Sequence, residues 1–193
     1  MKKLILGLII GLLILPICIV IYFFTGMVPV ATADAPMPME KTVTGFLLNS
    51  KVTKEAPKNV PFTPDEQVYI AGAHIYRENC AVCHGLPGQE KATAIATGMF
   101  PKPPQLFTHG VTDDPAGDTY WKVANGIRLT GMPGFKSSLS EPQMWQVSLF
   151  LANADKLPPS AIQALSASEN VSPVPQATNP TPAPVAIMPP NKK

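Results

Sequence analysis

The stretch "ENCAVCHG", residues 78–85, holds two of the three cysteines and one of the three histidines in a chain of 193 residues. Two residues separate the thiols, and the histidine follows the second thiol directly. Three chemistries use Cys-x-x-Cys: a redox disulfide, a zinc site and covalent attachment of haem. A redox disulfide sits at the start of a helix, where the helix N-terminus lowers a thiol pKa. Here the residues before the motif read as a helix, so Cys80 falls at a helix end. Structural zinc takes four ligands. Outside the motif only His74, His109 and Cys18 remain, a poor set to complete it.

Cys-x-x-Cys-His is the attachment sequence of c-type haem. Each thiol adds to one vinyl group of the porphyrin, and the adjacent histidine is thereby placed beneath the ring to ligate iron. With three residues of each type in 193, chance gives such a match roughly once in a thousand chains of this composition. Cys80, Cys83 and His84 are therefore read as the sites of one covalent haem c, with His84 as an iron ligand.

The other face of the iron decides between a catalyst and a carrier. Eight methionines are present. Met1, Met27, Met37, Met39 and Met188 lie outside the expected domain, and Met144 belongs to an expected helix, which leaves Met99 and Met132. Met132 lies in "GIRLTGMPGF" (126–135), where Gly131, Pro133 and Gly134 make a tight loop able to approach a ring closely. It is the preferred second axial ligand; Met99, before a proline-rich segment, is read as packing on the haem edge. His109 is the rival from a loop, with a solvated histidine the commoner role. Trp121 and Arg128 are candidates for haem propionate contacts, with ordinary packing and a solvated arginine as the alternatives. Tyr76 and Trp145 read as core residues and His74 as lying on an exposed helix side.

Around the motif, Thr63-Pro64-Asp65-Glu66 supplies capping signals for a helix over 64–79. Ser140-Glu141-Pro142-Gln143 opens a second over 141–154 with a broad apolar face. A third is expected near 118–126, capped by Asp118 and stopped by Gly126. Residues 85–117 read as loop. The four segments expected are 1–25, a membrane anchor or uncleaved signal; 26–62, an extended spacer with a possible short strand at 43–48; 63–157, the haem domain; and 158–193, a disordered tail. The tail reading rests on nine prolines and no aromatic residue from Leu157 onward, too little apolar surface to offset the entropy of ordering.

At the N-terminus, Lys2 and Lys3 precede 21 uncharged residues, Leu4 to Phe24. As a helix rising about 1.5 Å per residue this segment matches the apolar thickness of a bilayer. Ala31-Thr32-Ala33 offers a signal-peptidase site, but the apolar run exceeds a usual signal core. An uncleaved single-pass anchor is preferred, with the lysines in the cytoplasm and the rest exported; the alternative is a soluble periplasmic protein after cleavage. Cys18 is an apolar passenger in that span. The net charge is +2, yet residues 63–157 carry nine acidic and seven basic side chains, a balance of −2. No clustered basic face points to nucleic acid.

"CAVCHG", the "GIRLTGMPGF" loop and the helix "EPQMWQVSLFLANADKLP" together resemble a bacterial class I (monohaem) cytochrome c, here membrane-anchored, over residues 64–157. The resemblance implies an all-α fold around one haem, with the first and last helices crossing at small residues such as Gly72, and His84 and Met132 as axial ligands. It also implies a backbone carbonyl, often of a proline, that orients the ligand histidine; Pro87, Pro103 and Pro104 are the choices in this chain. The expected function is one-electron transfer in a respiratory chain, without catalysis by this chain and with redox protein partners in the membrane or periplasm of a bacterial inner membrane. Two alternatives remain: a fixed haem subunit of a membrane dehydrogenase or terminal oxidase, and a haem sensor or peroxidase with open iron.

Overall fold

The computed structural model describes residues 2–109, 112 and 114–166. In order the helices are α1 (Lys2–Phe24), α2 (Glu40–Glu55), α3 (Glu66–Asn79), α4 (Ala81–His84), α5 (Ala94–Gly98), α6 (Leu106–His109), α7 (Ala116–Asn125), α8 (Glu141–Ala152) and α9 (Pro159–Ser166). Of these, α3, α5 and α8 start at the caps or prolines that signal them. The described residues contain no strand. Beyond Lys2 and Lys3, α1 is uncharged; its mean hydropathy is 3.3 and it is long enough to cross a membrane.

The cap of α3 differs from expectation. Asp65, not Thr63, accepts from the Val68 N–H at 2.8 Å, because the aspartate sits at the cap position and a carboxylate suits the positive end of a helix. In α8, Gln143 reaches back to accept from the Ser140 N–H at 2.9 Å. α7 begins at Ala116, so Asp118 lies in its first turn. Gly126 ends it at φ 67, the left-handed region that glycine adopts without strain.

α3 and α8 form the centre of the fold. A Cβ on Gly72 would lie 2.6 Å from the Phe150 Cβ and overlap the Gln146 carbonyl, so only glycine allows this approach. Tyr76 from α3 and Phe150 from α8 are fully buried and touch with ring centroids 5.7 Å apart, while Phe107 meets Tyr76 edge-on at 5.3 Å. Trp145 is buried and stacks on Tyr120 at 4.3 Å, which holds α7 against α8. Tyr76 thus joins the two main helices as expected, whereas Trp145 joins α8 to α7. His74, expected on an exposed side, is half-buried.

Two segments depart from the expected organisation. Residues 40–55 lie in the presumed extended spacer, and 43–48 in its possible strand, yet they form α2. Val52 and Ala56 are buried, the Trp121 indole N–H donates to Glu55 Oε2 at 3.2 Å, and the Pro57 backbone packs on Gly117. Burial against α7 supplies what weak local signals do not. Residues 159–166 fall in the presumed tail but form α9. Pro158 accepts from Ala161 N–H at 3.0 Å, and Ala161, Ala164 and Leu165 bury their face on α3. Residues 167–193 lie outside the described residues.

Gly72→Val should cost about 3 kcal/mol by forcing α3 and α8 apart. Chemical denaturation of the haem-loaded protein, compared with wild type, measures this.

Candidate haem site

Cys83 and His84 are placed by α4. α3 ends on Cys80, whose N–H donates to the Tyr76 carbonyl at 2.8 Å, and α4 follows at once as a single turn carrying Cys83 and His84. Gly85 turns the chain at φ 78, and a side chain there would meet Gln105. The Tyr76 hydroxyl, fully buried, donates to the Gly85 carbonyl at 2.7 Å. This bond ties the motif's end to the core.

The segment 93–105 then straps α4 from outside. Thr93 Oγ1 donates to the Val82 carbonyl at 2.6 Å, and Gln105 Nε2 to the Cys83 carbonyl at 3.1 Å. His84 Nδ1 lies 2.9 Å from the Pro104 carbonyl. A carbonyl oxygen only accepts, so Nδ1 carries the proton and Nε2 is left with a free lone pair for a metal. Of the three prolines considered, Pro104 is the one that orients the histidine. Burial also lowers the His84 pKa, against the opposing pull of the Pro104 bond, and favours the neutral ring that ligation requires.

The second candidate ligand comes from the loop 126–135, which is folded tightly onto the end of α7. Ile127 N–H donates to the Met132 carbonyl at 3.1 Å, Met132 N–H to Thr130 Oγ1 at 3.1 Å, and Phe135 N–H to the Val123 carbonyl at 2.9 Å. Gly126 packs directly on the 132–134 backbone, where a Cβ would lie 2.6 Å from the Pro133 carbonyl carbon. Leu129 takes φ 60 within this loop. Met132 is held half-buried beside the core. Met99 leans on the same loop: a Cβ on Gly131 would overlap its methyl and lie 3.4 Å from its sulfur.

The remaining expected residues fall elsewhere. The Trp121 indole N–H is engaged by Glu55 on α2, so the donor proposed for a propionate is already used. Arg128 is exposed at the turn of the 126–135 loop. The side chain of His109 lies outside the described residues. Thr93, Gln105, Gly85 and Tyr76 were not singled out as site residues by the sequence reading; only the Gly85 position, directly after the histidine, carried a local signal.

These residues fit a covalently attached haem. Cys80 and Cys83 are free thiols within one turn of His84. Burial, with a smaller contribution from Cys83, pushes the Cys80 thiol up to about 12, a neutral thiol at physiological pH. Among the described residues, no three His, Cys, Asp or Glu side chains converge in a way that could hold a bare metal ion. Leu86, Phe107, Met132 and Phe135 pack on the core while remaining only partly covered, as apolar side chains do where a flat apolar group completes their burial.

An all-helical fold that presents Cys-x-x-Cys-His from the end of its first core helix, with the histidine aimed by a proline carbonyl, defines a c-type cytochrome. Residues 68–151 match the family described as cytochrome c oxidase, cbb3-type, subunit III, and this part of the chain is a class I cytochrome c domain carrying haem c. No curated protein matches the chain.

Removing the Tyr76 hydroxyl leaves the Gly85 carbonyl without its buried donor. Tyr76→Phe should lower stability by about 1–2 kcal/mol while the visible haem spectrum is retained, as denaturation followed by absorbance would show.

Proposed function

We propose that this chain carries single electrons in a bacterial respiratory chain, held to the inner membrane by α1 with its haem domain on the periplasmic side, and that His84 and Met132 occupy the two axial positions of its iron. The observation that carries this reading is that the His84 ring and the Met132 backbone are both fixed by hydrogen bonds: His84 through Pro104, and Met132 through a loop bonded to itself and to α7.

Haem c bound here supplies a one-electron couple between ferrous and ferric iron. The chain's own residues do the rest. Cys80 and Cys83 tether the group, so it cannot dissociate when the iron changes charge. Pro104 keeps the proton on Nδ1 and the Nε2 lone pair toward the metal. The Tyr76, Phe107 and Phe150 cluster keeps water from the side of the core. A thioether opposite an imidazole, in an apolar setting, favours ferrous iron and raises the potential. With both positions filled from the protein, no site is left for substrate, which supports a carrier over a sensor or peroxidase. Lys2 and Lys3 before α1 support the orientation, by the preference of lysine for the cytoplasmic side.

A second reading is favoured by the family match, whose description is that of an oxidase subunit. In it the same domain relays electrons as a fixed part of a terminal oxidase. The two readings separate in mild detergent: a carrier elutes alone, whereas a fixed subunit co-elutes with oxygen-reducing activity.

The ligand assignment predicts that the reduced protein does not bind carbon monoxide. Met132→Ala should bind it and lose the weak ferric sulfur-to-iron absorption band at the red end of the spectrum, while Met99→Ala should keep that band. Survival of the band in Met132→Ala would move the ligand to Met99.

A further inference from the structure

Between α1 and α2 the chain is folded into turns. Asp34 Oδ2 accepts from the Val30 and Ala31 N–H groups at 3.0 and 2.9 Å, and Glu40 Oε2 accepts from the Met37 N–H at 2.8 Å. Tyr22, in the last turn of α1, lines one cleft of about 490 Å³ together with Met27, Pro36, Met37 and Pro38. The connector therefore returns to the end of α1 two residues before α2 begins. With α1 in a bilayer, α2 starts at the level of the headgroups.

α2 itself has two apolar faces. Val52 and Ala56, with the partly covered Leu48, turn toward the α7 side. On the opposite side Val43, Phe46 and Leu47, at the i, i+3, i+4 spacing of one helical face, are 48, 70 and 59 % exposed. Residues 40–58 also carry Lys41, Lys51, Lys54 and Lys58 against Glu40 and Glu55. A short helix with an uncovered apolar face and a lysine excess, starting beside a membrane span, has the composition of an interfacial helix on anionic lipid.

We propose that α2 lies in the membrane interface beside α1, with Val43, Phe46 and Leu47 at the acyl boundary. It thereby turns one side of the haem domain toward the lipid, because its other face is bound to α7 through the Glu55–Trp121 hydrogen bond and the Pro57–Gly117 contact. The 126–135 loop follows α7 directly, so the bearing of α2 on the membrane sets that of the site. The proposal rests on α1 being retained as an anchor.

The test uses the full haem-loaded chain in phosphatidylethanolamine and phosphatidylglycerol vesicles. A small environment-sensitive fluorophore is attached at Phe46→Cys, Leu47→Cys or Asn49→Cys in a Cys18→Ser background, and separately at the natural Cys18. Quenching by nitroxide-bearing acyl chains is compared with quenching by aqueous iodide, and an unchanged haem spectrum confirms each fold. At positions 46 and 47 the ratio of lipid to iodide quenching is expected to be several-fold higher than at 49. If 46 and 47 are as open to iodide as 49 while the Cys18 label is in lipid, the proposal is overturned and the anchor stands. Shielding of 46 and 47 from both quenchers also overturns it, in favour of a second copy of the chain on that face. An aqueous Cys18 label would overturn the anchor reading and this proposal with it.

Discussion

The approach of α3 to α8 at Gly72 is the constraint on which the rest of the domain depends. Helix axes ordinarily stay about 8–10 Å apart according to the side chains between them, and here one missing Cβ lets the Gln146 carbonyl and Phe150 meet the α3 backbone. Two placements follow. α3 ends on Cys80, so fixing α3 fixes the start of the attachment turn. α8 carries Trp145, whose stack on Tyr120 fixes α7, and the Met132 loop hangs from the end of α7. One crossing thus positions both the attachment turn and the Met132 loop, although Cys80 and Met132 lie far apart in the sequence.

Between those sides the chain has little regular structure, and its order comes from side chains that bond to backbone. Thr93, Gln105 and Pro104 each meet α4 at a different residue, and Tyr76 meets Gly85 from beneath. A single helical turn has no stability of its own. Held by four external partners, it keeps the histidine ring from rotating, as a hydrogen bond to the other ring nitrogen does for metal-ligating histidines. For an electron-transfer domain, a histidine ring fixed in this way keeps its surroundings the same in both charge states of the iron.

What could be read in advance follows the same division between local and distant causes. The attachment motif, the opening of α8 and the stop at Gly126 are local patterns with a mechanism, and each stands where the sequence places it. Asp65 displaced Thr63 as the α3 cap because the residues on either side of Pro64 could both serve and only the helix phase decides. α2 opens after Met39 in a left-handed conformation without a side-chain cap, so nothing local announces it; its partner, α7, lies some sixty residues on. α9 did carry a signal, a proline at its first position and alanines and leucine at helical spacing, but the proline-rich composition around it outweighed that pattern. The Pro104 carbonyl illustrates a limit of another kind, since Pro87, Pro103 and Pro104 were all candidates and the path of the loop chooses among them.

The helix in the spacer alters what the tether can do. A flexible stretch from the membrane to the domain would let the haem sweep a wide radius and raise the effective concentration of many partners. Here sixteen residues of that stretch are α2, joined to α7, and the connector before it is closed by Asp34 and Glu40. The reach contracts accordingly, and with it the set of partners an electron can reach without the domain leaving its position. Charge is divided along the same line: the residues outside 63–157 hold the positive excess, and 63–157 are left near −2. With α1 in an anionic bilayer, as proposed, the lipid would attract the tether and repel the haem domain, which would place α2 against lipid and turn the haem toward its partners.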